Sequence, residues 1–174
     1  HKSSLKRKAY ILILDVNNFK KLNDTFGHTL GDTYLKTIAS VIRKVYKKYG
    51  RSYRIGGDEF CVIIDRKFNF CNINIEDLNS KLHEKLSRQR WESEKIPSVA
   101  IGYALFDPKK MQISDAIKEA DAQMYKNKKR IKGFKNNFLY LFLKFAIMIK
   151  NIGKPAERQG RKVKCLTGNF RMID

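Results

Sequence analysis

The architecture follows from one central segment, Ser52-Tyr53-Arg54-Ile55-Gly56-Gly57-Asp58-Glu59-Phe60-Cys61-Val62-Ile63-Ile64. Two strand-like runs, 52–55 and 60–64, flank the tetrapeptide at 56–59. Glycine adopts positive φ without steric cost, so a glycine pair between two such runs is typical of a β-hairpin. The segment therefore predicts two adjacent antiparallel strands, with the carboxylates of Asp58 and Glu59 at their turn.

A further strand and a short helix lie upstream of the hairpin. Residues 10–14 form an unbroken apolar run of strand-forming residues, which indicates a central strand buried on both faces. The run ends at Asp15. Beyond it, the apolar side chains of Phe19, Leu22 and Phe26 have the spacing of a short helix over 19–26.

The remaining elements follow from apolar periodicity. A long helix is predicted to open at Gly31-Asp32 and to be closed by Gly50, and a second long helix covers 75–91. A strand follows at 98–105, and then a helix with Ser114 as its N-cap. The order β-α-β-β-α-β-α predicts an α+β, ferredoxin-like sheet (a split βαβ unit) with helices packed on one face. Residues 138–143 are a candidate edge strand, and 152–174 have an irregular pattern.

The charge of the chain is large and unevenly distributed. Its 174 residues include 37 Lys and Arg and 17 Asp and Glu, so the formal net charge is 37 − 17 = +20. Residues 126–174 carry 14 basic and 2 acidic side chains, a net of 14 − 2 = +12. Because basic and aromatic residues do not alternate there as in a stacking platform, a solvated basic tail explains this excess better than nucleic-acid binding.

Apolar and cysteine patterns limit the cellular setting. No apolar run reaches the roughly 18 residues needed to span a bilayer, so no membrane span is expected. The chain has 3 cysteines without the spacing of a metal site. These features, with no signal peptide at the start of the sequence, predict a cytoplasmic protein with reduced thiols.

Three carboxylates are expected to meet at one edge of the sheet. Asp15 ends the central strand, and Asp58 and Glu59 lie on the hairpin turn beside it. Like charges held this close repel unless a cation neutralises them, and Mg²⁺ prefers hard oxygen ligands together with phosphates and water. With Lys20 and Lys21 nearby, the pattern favours a nucleoside triphosphate site. Each piece alone has an ordinary structural interpretation: a helix cap, a hairpin turn or a solvated face.

Three separated motifs, over roughly residues 10–130, resemble the GGDEF family of diguanylate cyclases. Residues 56–60, Gly-Gly-Asp-Glu-Phe, are the motif that names the family. The upstream motif is Asp15-x-Asn17-x-Phe19-Lys20-x-x-Asn23-Asp24-x-x-Gly27-His28-x-x-Gly31-Asp32. The late helix matches through Ala120-Asp121-x-x-Met124-Tyr125-x-x-Lys128, and Ile101-Gly102 matches the strand before it. Agreement of three motifs in order is far more specific than any one alone.

The resemblance implies a nucleotide-cyclase-type sheet with helices packed around it, and the synthesis of cyclic di-GMP from two GTP molecules held by facing subunits of a homodimer. It implies that Asp15 and Glu59 ligate Mg²⁺ (or Mn²⁺) through carboxylates, and Val16 through its backbone carbonyl. Asp58 would be the general base at the 3′-hydroxyl or share the metal. Lys20 would act in catalysis by balancing developing charge on the phosphates.

The resemblance also implies a set of substrate contacts. Backbone N–H groups around Phe19 would hold the phosphates, and Lys128 would neutralise them. Asn23 and Asp32 would bind the guanine edge, with His28 close by. An amide and a carboxylate can accept from the guanine N1–H and amino group, which adenine does not offer in the same arrangement.

The sequence departs from the family pattern in four places. Lys47-Lys48-Tyr49-Gly50 replaces the Arg-x-x-Asp of members with product inhibition, so no inhibitory site of that kind is expected. The Gly-Arg-Asn that usually follows the late-helix lysine is replaced at 129–133. The usual first helix is missing before the first strand, and the segment after about Gly133 does not resemble the family's ending. We therefore predict a GGDEF domain over 1–133 that lacks this helix, and an atypical basic segment over 134–174.

Two other functions remain open from the sequence. A catalytically inactive GTP-binding module is suggested by the missing first helix and the altered ending, and a nucleic-acid binder, ranked last, by the net charge. Family members are commonly controlled by an attached sensor domain. No such domain is present in these 174 residues.

Overall fold

The structure is a computed structural model that describes residues 5–65, 73–92, 97–129 and 171–172. Its strands are β1 (Ala9–Val16), β2 (Arg51–Arg54), β3 (Glu59–Ile64), β4 (Val99–Phe106) and β5 (Arg171–Met172). Its helices are α1 (Phe19–Phe26), α2 (His28–Tyr46), α3 (Ile75–Ser87) and α4 (Ile113–Lys129). None of the helices in these residues is long and apolar enough to cross a membrane.

The five strands form one antiparallel sheet in the order β4-β1-β3-β2-β5. The predicted hairpin is confirmed, because β2 pairs with β3 from Arg51↔Ile63 to Arg54↔Phe60. The predicted central strand is also confirmed, since β1 lies between β3 and β4 and is buried along almost its whole length. The α+β, ferredoxin-like arrangement inferred from the sequence is therefore the observed fold.

Side chains of β1 alternate between two separate cores. Leu12 and Leu14 pack with α2 and α3 on one face of the sheet. Ile11 and Ile13 pack with α4 on the other face. The prediction that helices cover one face was wrong for α4. The small and apolar side chains of that helix pack against the opposite face of the sheet and form a second core there. Helices therefore lie on both sides of the sheet.

Several predicted boundaries differ from the structure. Helix α2 begins at His28 rather than Gly31, because Gly27, at φ 83°, breaks the chain between α1 and α2. Helix α3 ends at Ser87 rather than at 91. Helix α4 already includes Ser114, so that residue is not its N-cap.

The end of the chain contributes one short strand. Strand β5 pairs with the hairpin strand β2 through Tyr53↔Met172, although 152–174 was expected to be irregular. The candidate edge strand at 138–143 lies outside the described residues.

Helix α4 lies unusually close to β4. A Cβ atom on Gly102 would be 2.1 Å from the Ala120 carbonyl oxygen and 2.1 Å from the Met124 backbone nitrogen. Near the end of the helix, Asn127 Nδ2 donates to the Ile101 carbonyl oxygen over 2.7 Å. These contacts fix where the last turn of α4, including Lys128, stands relative to the sheet.

We expect Gly102→Ala to lower the free energy of unfolding by about 1–3 kcal/mol, the usual cost of overpacking a buried contact. The added methyl group would collide with backbone atoms that cannot rotate away. Urea denaturation would measure the change. Gly57→Ala is the matched control, because a Cβ there meets nothing within 4 Å. Equal stability of the two variants would contradict the close approach of α4.

Candidate functional site

The hairpin turn lies against the end of β1. Asp15 is the direct register partner of Glu59 on β3. The backbone N–H of Val16 donates to the Asp58 carbonyl oxygen over 3.0 Å. Arg54 closes the turn from within, because its Nη2 donates to the Gly57 carbonyl oxygen at 2.6 Å. The sheet thus brings the segments that carry Asp15, Asp58 and Glu59 together, as the sequence predicted.

Asp15 is an unusual carboxylate because it is only 6% exposed at the edge of this turn. Burial raises the pKa of Asp15 to about 6, and the charges of Asp58 and Glu59 add to the rise. Lys128 acts in the opposite direction through its hydrogen bond, since its Nζ lies 2.5 Å from Asp15 Oδ1. The site therefore contains more acidic groups than can all stay ionised easily.

The carboxylates do not form a finished metal cage. Within residues 5–65, 73–92 and 97–129, no three Asp, Glu, His or Cys side chains are arranged so that they could hold a metal ion. The donor chemistry nevertheless fits Mg²⁺, which typically takes one or two carboxylates and completes its shell with phosphates and water. Asp15 and Glu59, with the Val16 carbonyl, would be the protein ligands.

The turn from β1 into α1 presents backbone donors next to this carboxylate. Asn18, at φ 58°, reverses the chain. The first backbone hydrogen bond of α1 runs from the Leu22 N–H to the Asn18 carbonyl oxygen. The N–H groups of the preceding turn, at 19–21, are left without partners inside the helix. Asn17 fixes the turn, because its backbone N–H and its Nδ2 both donate to Ser98, each over 2.9 Å.

The residues predicted to bind guanine lie on α1 and α2. Asn23 packs against Gly31, where a Cβ atom would come within 1.9 Å of Asn23 Oδ1 and 3.2 Å of the Phe19 ring. Asn23 Oδ1 is buried and has no hydrogen-bond partner among the described residues. His28 and Asp32 are exposed on the first turns of α2. Lys20 is likewise exposed, on α1, so the ligand roles of these three side chains stay predictions.

Sequence reasoning missed one buried acidic residue of the late-helix motif. Asp121 is 6% exposed on α4, and burial, followed by the charge of Glu59, raises its pKa. A sequence signal existed, because Asp121 interrupts the apolar stripe of α4 directly beside Ala120. The electrostatic interaction between the Asp121 and Glu59 carboxylates becomes visible only once α4 is docked against β4.

A model of one protein family matches residues 1–133, and its description is diguanylate cyclase, GGDEF domain. The match covers well over half of the 174 residues. The chain belongs to the GGDEF domain family. The motifs that suggested the resemblance are those whose segments the sheet brings together at the end of β1.

Curated relatives of this GGDEF domain include two enzymes. The diguanylate cyclase DgcS of Shewanella oneidensis is 40% identical over 70 residues, which are 40% of this chain and 24% of the relative. The diguanylate cyclase DgcP of Escherichia coli is 29% identical over 128 residues, 72% of this chain and 37% of the relative. The chain thus spans well under half the length of either relative.

Solved structures show the same fold. The GGDEF domain of DgcB from Caulobacter crescentus, solved in complex with c-di-GMP, is similar with a TM-score of 0.59 and 26% identity. The alignment covers 71% of this chain and 73% of that one. The α+β architecture derived from the sequence is therefore that of the GGDEF family.

The predicted loss of the Arg-x-x-Asp inhibitory site has a steric counterpart. At the position of the missing carboxylate, a Cβ on Gly50 would lie 1.9 Å from the Ile63 carbonyl oxygen. The backbone here packs against β3 so closely that this GGDEF domain has no room for a side chain. The absence of that form of product inhibition stays a prediction.

We expect Asp15 to make stability depend on pH when divalent cations are removed with EDTA. The pKa of Asp15 is about 6 in the folded chain against an unperturbed 3.8. A carboxyl group whose pKa is raised on folding stabilises the folded state at pH values below its pKa in the unfolded chain. This contribution is lost as the pH rises through the folded pKa of about 6. Relative to the non-titrating Asp15→Asn, the wild type should lose up to about 3 kcal/mol of unfolding free energy between about pH 4 and pH 7.5.

Urea denaturation of both proteins across that range measures the difference. The loss of a partner for Lys128 in Asp15→Asn adds an offset that does not vary over this range. The exposed control Asp115→Asn should follow the wild type. A difference between wild type and Asp15→Asn that stays constant with pH would contradict the raised pKa.

Proposed function

We propose that this GGDEF domain is a diguanylate cyclase, which condenses two GTP into cyclic di-GMP and releases two pyrophosphates. The observation that carries the proposal is the meeting of Asp15, the Asp58-Glu59 turn and Lys128 at the end of β1. That arrangement combines acidic groups for a cation and a basic group for phosphate at one point. The printed names of the curated relatives support the same activity.

The reaction requires each GTP to act both as nucleophile and as target. The 3′-hydroxyl oxygen of one nucleotide attacks the α-phosphorus of the other, the bond to the β-phosphate oxygen breaks, and pyrophosphate leaves. We assign Asp58 as the base that accepts the hydroxyl proton. Mg²⁺, or Mn²⁺ in its place, would lower the pKa of the hydroxyl and stabilise charge on the phosphates when bound by Asp15, Val16 and Glu59.

The triphosphate has two kinds of partner in the chain. The N–H groups at the start of α1, around Phe19, which lack partners inside the helix, can donate to phosphate oxygens, as helix N-termini commonly do. Lys20 and Lys128 supply positive charge from either side, one from α1 and the other from α4. Positive groups aimed at the breaking bond stabilise the charge that develops on the departing pyrophosphate.

Guanine recognition is assigned to the α1–α2 pair. Asn23 Oδ1, buried and without a hydrogen-bond partner among the described residues, is an acceptor suited to the N–H donors of guanine. Asp32, one turn into α2, offers a second acceptor, and His28 lies at the start of the same helix. A base without matching donors would leave these acceptors unsatisfied, which disfavours ATP.

Closure of the product ring requires two sites that face each other. Two copies of this chain related by two-fold symmetry would present each 3′-hydroxyl to the other nucleotide, so we propose a homodimer during catalysis. An attached sensor domain would control this pairing. We further propose that the reaction takes place in the cytoplasm, because GTP is supplied there.

We expect Asp58→Asn to reduce the rate of cyclic di-GMP formation at least about 100-fold, because a general base commonly contributes that much or more. The assay incubates wild type and variant with GTP and Mg²⁺ and quantifies the product by mass spectrometry. The exposed Asp115→Asn on α4 serves as a control for the loss of one carboxylate and should keep the wild-type rate. Equal rates for Asp58→Asn and wild type would refute the assignment.

The same assay separates catalysis from simple binding. Wild-type protein that binds GTP in calorimetry but yields no product, at concentrations where two copies pair, would be a non-catalytic module. The proposal predicts two pyrophosphates for each cyclic di-GMP, one for each phosphodiester bond formed.

We expect Asn23→Ala to reduce the preference for GTP over ATP by roughly tenfold or more, because one acceptor for guanine is lost. Competition between the two nucleotides for wild type and variant measures the ratio. Asn74→Ala is the matched control: Asn74 caps α3 by accepting from the Asp77 N–H, far along the chain from the site. Its substitution should lower stability and leave the nucleotide ratio unchanged. An unchanged ratio in Asn23→Ala would remove Asn23 from base recognition.

A further inference from the structure

The contact between Lys128 and Asp15 occupies the centre of the candidate site. Lys128 Nζ lies 2.5 Å from Asp15 Oδ1, and the two side chains are 22% and 9% exposed. Across the β1–β3 ladder, Glu59 is the register partner of Asp15. The ammonium group therefore stands where acidic groups from two strands meet, which is where the proposed function requires a cation.

An ammonium group and a divalent cation compete for the same oxygen. Mg²⁺ binds carboxylate oxygens at about 2.0–2.1 Å and demands a nearly complete octahedral shell. With Lys128 already on Asp15 Oδ1, the two positive centres would be a few ångströms apart in a partly buried site and would repel strongly. Uptake of the cation on this oxygen therefore requires the ammonium group to leave.

The helix itself is not free to move with the ammonium group. The neighbouring Asn127 is bonded to the Ile101 carbonyl oxygen on β4 over 2.7 Å. One turn earlier, the backbone of α4 is in close contact with Gly102. The flexible four-carbon stem of Lys128 can still change rotamer while the backbone stays fixed. Its ammonium group then reaches anions near Asp15.

We infer that Lys128 is the resident counter-ion of Asp15 in the nucleotide-free protein and transfers to the triphosphate when a divalent cation takes its place. This inference rests on the proposed function, since it concerns how that site is filled. A cation alone must break the ion pair between Lys128 and Asp15, whereas a triphosphate offers phosphate oxygens to the displaced ammonium group. Cation and nucleotide binding are therefore coupled through Lys128, and each strengthens the other.

Binding measurements without turnover test the exchange. Mn²⁺ is the cation probe, followed by the paramagnetic resonance signal of the free ion. The nucleotide probe is 3′-deoxy-GTP, which lacks the attacking hydroxyl. In the absence of nucleotide, Lys128→Met should bind Mn²⁺ at least about fivefold more tightly than the wild type. In EDTA, the same variant should bind 3′-deoxy-GTP more weakly than the wild type.

The matched control is Lys129→Met. This variant also removes one positive charge from the last turn of α4, but the Lys129 ammonium group lies over the Tyr125 ring, 4.8 Å from its centroid. It should change neither affinity by more than about twofold, as expected of a screened surface charge. Equal Mn²⁺ affinity in Lys128→Met and Lys129→Met would overturn the inference and would indicate that the cation uses Asp15 without displacing Lys128.

A second measurement follows the wild-type protein, with a conservative variant used only to assign the signal. The nitrogen-15 signal of the Lys128 ammonium group, assigned by its loss in Lys128→Arg, should shift when Mg²⁺ saturates the site, and shift again when 3′-deoxy-GTP is added. A signal that Mg²⁺ leaves unchanged would overturn the exchange. Formation of cyclic di-GMP is assayed separately, so product formation with a static Lys128 would refute the exchange and leave the proposed function standing.

Discussion

The structure depends on a concentration of acidic groups at the end of a buried strand. Asp15 terminates β1 with its side chain almost inaccessible to water, and the Asp58-Glu59 turn lies directly beside it. Burying a carboxylate among other carboxylates is unfavourable unless positive charge is brought to it. In the structure that charge comes from Lys128, 113 residues away in sequence. The ion pair joins the first strand to the last described helix.

The rest of the fold supplies the geometry that this ion pair needs. The central position of β1 allows the hairpin to lie beside it on one side and β4 on the other. Close packing of α4 on Gly102 sets the last turn of that helix at the same edge. The α1–α2 pair follows immediately from β1 and carries the proposed base and phosphate contacts. Distant parts of the sequence are thus combined into one site by a small antiparallel sheet.

Much of this arrangement could be predicted from the sequence, because its signals are local. The unbroken apolar run at 10–14 identified the central strand, and the glycine pair Gly56-Gly57 identified the hairpin. Helix boundaries were less predictable: α1 covers the predicted residues, but α2 begins at His28, three residues before the predicted Gly31, directly after the positive φ of Gly27. Strand β5 is only 2 residues long, and no sequence pattern distinguishes so short a strand from a loop.

The segments that meet at the candidate site were predictable from the sequence, but the contacts between them were not. Motif resemblance placed Asp15, Glu59 and Lys128 together in function, but no spacing rule shows that Lys128 contacts Asp15 directly, or that Asp121 lies near Glu59. Such facts depend on how α4 docks, which is a property of the tertiary fold. For the same reason, the sequence suggested three converging carboxylates but not that one of them, Asp15, is paired with the ammonium group of Lys128.

The most direct measurement is the affinity for GTP with and without Mg²⁺, determined by calorimetry for the wild type and for Asp15→Asn. If the end of β1 is a site for a cation-bound triphosphate, Mg²⁺ will strengthen GTP binding to the wild type by at least about tenfold, as for a coupled pair of ligands. The same addition will have little effect on Asp15→Asn. An equal response of the two proteins, or no response in the wild type, would contradict the account.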